Sequence, residues 1–235
     1  MPDQERRKNK DLSYFRIVVQ GIISILVMMA LIFVLAGRMN YWQGWAFLVF
    51  TGIGVSIQII AFAGKTEVLK ERFNPGPGTK WWDKIFWALY LPLFLTVMIV
   101  ACLDTGRFRW TANLPAYIYI IGYLGFALSI FLYSWAMWVN RFFSTMVRIQ
   151  TDRGQTVVQD GPYRFVRHPG YVAGIVMAAS LALIFGSLWA LLPAAGVMLL
   201  LIIRTHLEDS VLKIELPGYA DYAQKVRCRL LPGVW

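Results

Sequence analysis

An apolar run too long for any element of a water-soluble core is the strongest constraint on this chain. Residues 17–35 contain two polar side chains, Gln20 and Ser24, and no charged one. Unbroken apolar runs of about 18 residues or more are typical of membrane-spanning helices. Only 15% of all residues are charged, whereas soluble domains carry about 25%. The sequence therefore predicts an integral membrane protein.

Five further apolar blocks follow the first. A helix over each block gives spans at 17–35, 45–62, 85–103, 114–139, 170–185 and 188–203. The last two have 16 residues each and reach only about 24 Å as helices, less than the roughly 30 Å of a hydrocarbon core. Because only Gly186 and Ser187 separate them, they predict a tight helical hairpin. We expect an all-α, polytopic membrane helix bundle of about six transmembrane helices, with a C-terminal helical hairpin and cytoplasmic loops and tail.

The basic residues predict the orientation of these spans. The chain has 23 Lys and Arg residues against 13 Asp and Glu, a formal net charge of +10. Since the Lys and Arg residues lie in loops between apolar blocks, we expect no nucleic-acid partner. With a cytoplasmic N-terminus, 20 basic residues fall on the cytoplasmic face and only Arg38, Arg107 and Arg109 fall on the other. This asymmetry predicts that both termini are cytoplasmic, at the inner membrane of a bacterium or the ER of a eukaryote.

Two smaller features exclude other classes. The first apolar block exceeds the roughly 7 to 15 residues of a signal-peptide core, so we interpret it as a retained span. The two cysteines, Cys102 and Cys228, form no CxxC pair, and we expect neither a disulfide framework nor a metal site.

Chemistry-bearing residues concentrate in the segment 140–171. Its last part, GPYRFVRHPGY, brings Tyr163, Arg167, His168 and Tyr171 to the start of a hydrophobic helix. Pro169 fits the first turn of that helix, where free backbone N–H groups attract a carboxylate or a phosphate. Contact with lipid headgroups is the alternative for the arginines. The convergence of basic, imidazole and phenol groups favours a binding site.

A second cluster begins where the last apolar block ends. If the helix continues, Arg204, Glu208 and Leu212 share one face, whereas Leu207, Val211 and Ile214 form an apolar stripe. The pair Glu208 and Asp209 at a membrane edge is not expected to face lipid, because anionic headgroups would repel it. A simple ion pair between Arg204 and Glu208 is the alternative. His206 is not part of a comparable cluster and is interpreted as a structural or surface residue.

These segments in order resemble the isoprenylcysteine carboxyl methyltransferase family. The resemblance rests on GPYRFVRHPGY, Gly174, a hydrophobic hairpin, RTHLED (residues 204–209), GYADY (218–222) and RLLPGVW, and covers the chain from Asn140 onward. Together with the phospholipid methyltransferases, that family forms a group of integral-membrane enzymes that use S-adenosylmethionine. Where the family has Glu-Glu, this chain has Glu208 and Asp209, which preserves the charge but not the reach of the second carboxylate.

The resemblance implies a fold division, a cofactor and a site. It implies that residues 111–235 form a methyltransferase-like membrane core with a cytoplasmic C-terminal helix. Residues 1–110 would form the N-terminal transmembrane helices, and the whole chain a single domain. The implied function is transfer of a methyl group from S-adenosyl-L-methionine to the carboxylate of a lipid-like or isoprenyl-linked substrate. Arg167 and Arg204 are expected to orient that carboxylate, with Glu208 as the third catalytic residue. The implied cofactor-binding residues are Tyr163, His168, Pro169, Gly170, Tyr171, Gly174, Glu208, Asp209 and Tyr222.

Other functions stay open from sequence alone. A lipid N-methyltransferase would use Glu208 or His168 as a base to deprotonate an amine. Membrane sterol reductases, which use NADPH, share a related C-terminal layout. A transporter or scaffold is disfavoured because the spans hold almost no ionisable residue, whereas ion pathways normally contain them. The expected partners are the bilayer and a lipid-like small molecule, and the sequence does not indicate the oligomeric state.

Overall fold

Helices account for the regular structure in the computed structural model, which describes residues 19, 21–62, 78–233 and 235. Within these residues the chain forms seven α-helices and no strand. They are α1 (Gly21–Ala36), α2 (Trp42–Phe62), α3 (Trp81–Ala101), α4 (Ala116–Val139), α5 (Pro169–Phe185), α6 (Leu191–Glu215) and α7 (Tyr219–Lys225). The predicted all-α membrane bundle is confirmed.

Four of these helices are long and apolar enough to cross a membrane. They are α2, α4, α6, and α3 together with the π-helical turn Cys102–Phe108 that extends it to 28 residues. Two others, α1 and α5, are apolar but shorter. Large apolar side chains cover the outside of the bundle, among them Ile60 and Leu192. Lipid would accept such side chains without the cost of about 25 cal/mol per Å² that water imposes, so the fold is that of a multi-pass membrane protein.

The helical hairpin is asymmetric, which corrects the prediction of two short arms. The first arm, α5, has 17 residues, but α6 has 25 and continues without a break to Glu215. Its length is about 37 Å, so the predicted second cluster lies on the last turns of a membrane helix. The prediction failed because charged residues after 203 ended the apolar block without ending the helix.

A left-handed residue closes α5. Gly186 has φ +69°, and a Cβ placed there would lie 2.5 Å from the Tyr119 hydroxyl oxygen, so only glycine fits this turn. Ser187 follows: its hydroxyl donates to the buried carboxylate of Asp104 and accepts the backbone N–H of Ala190 at 3.0 Å. These bonds hold the turn between α5 and α6 against the extension of α3.

The main core lies around α5, which packs against α3, α4 and α6. Its fully buried members include Val97, Ala182, Ile184 and Val197. At one end of the bundle, the start of α5 meets the start of α3, the last turns of α6, the loop 140–168 and the C-terminal tail. The residues singled out from the sequence gather at that end.

Candidate functional site

A cavity of about 500 Å³ opens at this end of the bundle. Its polar wall includes His168, Tyr171 and Glu208, and its apolar wall includes Phe94 and Met177 from the membrane-embedded parts of α3 and α5. Such a cavity can hold a polar head and an apolar chain together. Of the predicted site residues, the cavity is lined by Tyr163, Arg167, His168, Pro169, Gly170, Tyr171, Gly174, Arg204, Glu208 and Tyr222.

Asp209 does not line the cavity and is instead the hub of a buried network. Its carboxylate is fully buried and accepts two hydrogen bonds from Arg167, at 2.7 Å from Nε and 3.1 Å from Nη2. Lys213 Nζ and Arg229 Nε each lie 3.0 Å from Oδ2, and the Tyr219 hydroxyl donates to Oδ1 at 3.1 Å. All its acceptor capacity is therefore directed to the protein itself, and it joins α5, α6, α7 and the tail.

Arg167 likewise uses most of its hydrogen-bond donors within the protein. Besides its two bonds to Asp209, its Nη1 donates to the backbone oxygens of Val226 at 2.6 Å and Arg227 at 2.8 Å. Burial lowers the pKa of Arg167, but the hydrogen bonds and charge of Asp209 outweigh that cost and leave the pKa above its ordinary value. Four of its five N–H groups thus hold the tail against α6, although the predicted role was to orient a substrate carboxylate.

His168 joins the same network at the start of α5. Its Nε2 lies 3.4 Å from Asp209 Oδ1 and 3.3 Å from the Tyr219 hydroxyl, and its ring stacks on Tyr171 with centroids 5.6 Å apart. Its backbone oxygen accepts the N–H groups of Tyr171 at 3.0 Å and Val172 at 3.3 Å. Because the Tyr171 and Val172 N–H groups are directed to His168, the α5 terminus offers fewer free donors to an anion than the sequence predicted.

Glu208, the neighbour of Asp209, has a very different environment. It lines the cavity and is only partly buried, and the Tyr171 hydroxyl donates a hydrogen bond to its Oε2. Among the described residues, no Lys, Arg or His pairs with it. A positively charged ligand group would therefore find an uncompensated carboxylate here.

Arg204 is buried on the same face of α6 and pairs with a residue that the sequence analysis missed. Its Nη2 lies 2.9 Å from Oδ1 of Asp83, in the first turn of α3, and donates to the backbone oxygen of Thr145 at 2.7 Å. The guanidinium carbon lies 4.3 Å from the centroid of the Phe86 ring. In the described part of the protein, the buried Arg204 Nε has no hydrogen-bond partner. The alternative ion pair between Arg204 and Glu208 is thus wrong.

Two predicted tyrosines line the cavity as neutral phenols. The Tyr163 hydroxyl accepts a hydrogen bond from Asn140 Nδ2 at 3.1 Å, and the Tyr222 hydroxyl donates to the backbone oxygen of Tyr163 at 2.7 Å. Burial raises the pKa of both hydroxyls well above the ordinary tyrosine value. Both rings are consequently fixed and uncharged at neutral pH.

Neighbouring side chains leave little room for a Cβ at the two predicted glycines, Gly170 and Gly174. A Cβ on Gly170 would lie 3.0 Å from Phe143, and one on Gly174 would lie 3.0 Å from Leu201. Both contacts are tighter than ordinary packing, so each glycine lets an apolar side chain complete the cavity wall. Any contact of these glycines with a cofactor would be additional to this role.

Several cavity residues come from parts of the chain where the sequence shows no recognisable motif. Trp87 is the clearest case, and Asp83, which does not itself line the cavity, is buried next to it as the partner of Arg204. The Trp87 indole N–H donates to the Thr145 backbone oxygen at 3.2 Å, the same oxygen that Arg204 contacts. A carboxylate between tryptophans at the start of an apolar block was the available signal for Asp83.

The comparisons with known proteins concern the second half of the chain. Residues 117–214 match the phospholipid methyltransferase family, and this range contains both GPYRFVRHPGY and RTHLED. No curated protein matches the chain. The predicted resemblance to the group of membrane methyltransferases that includes the phospholipid methyltransferases is confirmed over residues 117–214.

Proposed function

We propose that this protein transfers a methyl group from S-adenosyl-L-methionine to the carboxylate of a lipid-like or isoprenyl-linked substrate. One observation carries the proposal: a single cavity joins an unpaired carboxylate, Glu208, to an apolar wall in the membrane-embedded part of the bundle. The cofactor is polar and cationic, and the substrate is amphipathic. The two kinds of wall suit these two molecules.

The residues of the polar wall fit S-adenosylmethionine. Glu208 has only the Tyr171 hydroxyl as a described partner, so it retains acceptor capacity for the ammonium group. The rings of Tyr163, Tyr171 and Tyr222 offer faces that attract a sulfonium. When bound, the cofactor supplies an electrophilic methyl group, and the protein contributes position and exclusion of water.

The acceptor end of the proposal rests on Arg204. Its unpartnered Nε lies in the buried wall of the cavity, and a guanidinium holds a carboxylate more firmly in a dry site than in water. A carboxylate is already ionised at neutral pH and needs no strong base, so orientation contributes most of the catalysis. In this account Arg167 and Asp209 position the wall rather than touch the substrate.

The Asp83 contact favours a second candidate, methylation of a lipid amine. Because Arg204 pairs with Asp83, Glu208 has no ion-pair partner among the described residues and can receive a cationic group. A protonated amine would bind beside it and pass a proton to Glu208 before attack. This candidate differs in the acceptor and in the role of Glu208, which would act as a base instead of holding the ammonium group of the cofactor.

Product chemistry separates the two acceptors. Purified protein in nanodiscs is incubated with lipid extract and S-adenosylmethionine carrying a labelled methyl group, and the labelled lipid is treated with mild base. Release of labelled methanol is expected for a carboxyl methyl ester, whereas base-stable label identifies an N-methyl group and overturns the carboxylate assignment. The same assay is run on Glu208→Gln, with Glu215→Gln, on the exposed end of α6, as its matched control. No labelled lipid from the unmodified protein would overturn the methyltransferase proposal.

A further inference from the structure

The three basic residues assigned from sequence to the face opposite the site converge on one cavity. Arg38, Arg107 and Arg109 line a space of about 440 Å³ together with Ala36, Gly37 and Gly106. It lies where α1 and the extension of α3 end, about 36 Å along α3 from Asp83. Of the 23 Lys and Arg residues in the chain, these three were the ones expected on this face, and they are gathered rather than dispersed. The cavity lies outside residues 117–214.

Helix capping explains part of this gathering. Arg38 Nη2 donates to the Thr105 backbone oxygen at 3.1 Å, and Arg107 Nη2 donates to the Val34 backbone oxygen at 2.8 Å. Each arginine thus satisfies a carbonyl near the end of the neighbouring helix, a group with few partners inside its own helix. Capping uses one nitrogen on each side chain and does not involve Arg109.

The remaining donors point to an anion. Arg38 Nε is buried and has no hydrogen-bond partner in the described part of the chain. Within the described residues, no carboxylate forms an ion pair with any of the three arginines. Like charges brought together repel, so the cavity is stabilised by a ligand that carries negative charge and several acceptor oxygens.

The surroundings of the cavity select the source of that anion. Phe108 and Trp110, on either side of Arg109, are exposed and stacked with ring centroids 4.9 Å apart. Trp42, at the start of α2, is exposed as well. Exposed aromatic residues at the ends of transmembrane helices are typical of the membrane interface, the depth at which lipid headgroups lie. Arginine also matches phosphate oxygens with its planar fork of donors.

We propose that this cavity binds the phosphate group of an anionic membrane lipid in the leaflet opposite the candidate active site. The lipid phosphate bridges the ends of α1 and α3 and neutralises the arginines, while its acyl chains lie along the exposed apolar surface. Arg109 lines the cavity and has a left-handed backbone conformation, with φ +55°.

Titration of the full-length protein in detergent with phosphatidylglycerol tests the site, with native mass spectrometry to count bound lipid. Arg109→Asn removes the charge and tolerates the left-handed backbone, and we expect about tenfold weaker binding. Arg109→Lys keeps the charge and should restore most of the affinity. Arg164→Asn, an exposed arginine at the opposite end, is the matched control and should bind as the unmodified protein does.

Three results would overturn the proposal. The first is equal affinity of the unmodified protein for phosphatidylglycerol and for zwitterionic phosphatidylcholine. The second is an unchanged affinity in Arg109→Asn. The third is inorganic phosphate raising the thermal unfolding midpoint as much as phosphatidylglycerol does, which would assign the cavity to a soluble anion. None of these readouts depends on methyl transfer, so they remain informative if the proposed function fails.

Discussion

Two consecutive carboxylates on α6 have opposite environments. Asp209 is fully buried and receives bonds from Arg167, Arg229 and other donors, whereas Glu208 lines the cavity with the Tyr171 hydroxyl as its described partner. Consecutive residues on an α-helix point about 100° apart, so one side chain faces the packed tail and the other faces open space. The contrast separates scaffold from binding group, and the predictions below test it.

The scaffold carboxylate should give the largest loss of stability. Asp209→Asn removes the negative charge while Arg167, Lys213 and Arg229 remain around it. Breaking a buried network by removing one partner costs about 3–5 kcal/mol. Thermal unfolding in detergent, followed by tryptophan fluorescence, should show a much lower midpoint. Asp221→Asn on the exposed side of α7 is the control, and an Asp209→Asn midpoint equal to that of this control would refute the scaffold role.

Arg204 should affect activity more than folding. Arg204→Lys keeps a positive charge near Asp83 but removes the unpartnered Nε and the planar fork. We expect a 10- to 100-fold loss of kcat/KM, about 1.5–3 kcal/mol of transition-state stabilisation, with a nearly unchanged unfolding midpoint. An equally active lysine variant would remove Arg204 from the orientation of the acceptor.

A single bond within the Asp209 network should matter less than the network. Tyr219→Phe deletes the hydroxyl that donates to Asp209 at 3.1 Å and leaves the cationic partners in place. We expect a loss of about 1–2 kcal/mol of unfolding free energy, to be measured by denaturant titration. A loss as large as that of Asp209→Asn would mean that the tyrosine, and not the charge pairing, holds the network together.

The smallest effect is expected at the surface. Lys80 Nζ lies 2.6 Å from Glu215, but both side chains are partly exposed, 27% and 40% respectively. Lys80→Gln should therefore cost less than about 1 kcal/mol. A denaturant midpoint lowered as far as in Tyr219→Phe would contradict the distinction between buried and exposed pairing.

The helices could be predicted well from the sequence because a helix that crosses a bilayer must stay apolar over its whole thickness. Within the described residues, each of the six blocks corresponds to a helix. Residues 17, 18 and 20 of the first block lie outside the described residues. The apolar block predicted too early an end for α6. A helix can continue into charged residues when those residues are buried or line a cavity. The shared face of Arg204, Glu208 and Leu212 is confirmed by the cavity, whereas Ile214 of the predicted apolar stripe is 85% exposed.

The site was only half predictable for a physical reason. Motifs near Tyr163–Tyr171 and Arg204–Asp209 are local in sequence, but the partner of Arg204 is Asp83, far earlier in the chain. A pairing over such a separation depends on how α3 packs against α6, and no local pattern records that packing. In the same way, the residue spacing did not indicate that Arg167 would use its donors on Asp209 and the tail.

Binding of S-adenosylmethionine to the unmodified protein and to Glu208→Gln is the most direct test of this account. Isothermal titration with the unmodified protein and Glu208→Gln, each at a temperature where it is folded, measures the affinity. The account predicts binding to the unmodified protein and at least tenfold weaker binding to Glu208→Gln with an unchanged unfolding midpoint. Equal affinities, or a Glu208→Gln protein that loses stability as Asp209→Asn does, would contradict the division between a binding carboxylate and a scaffold carboxylate.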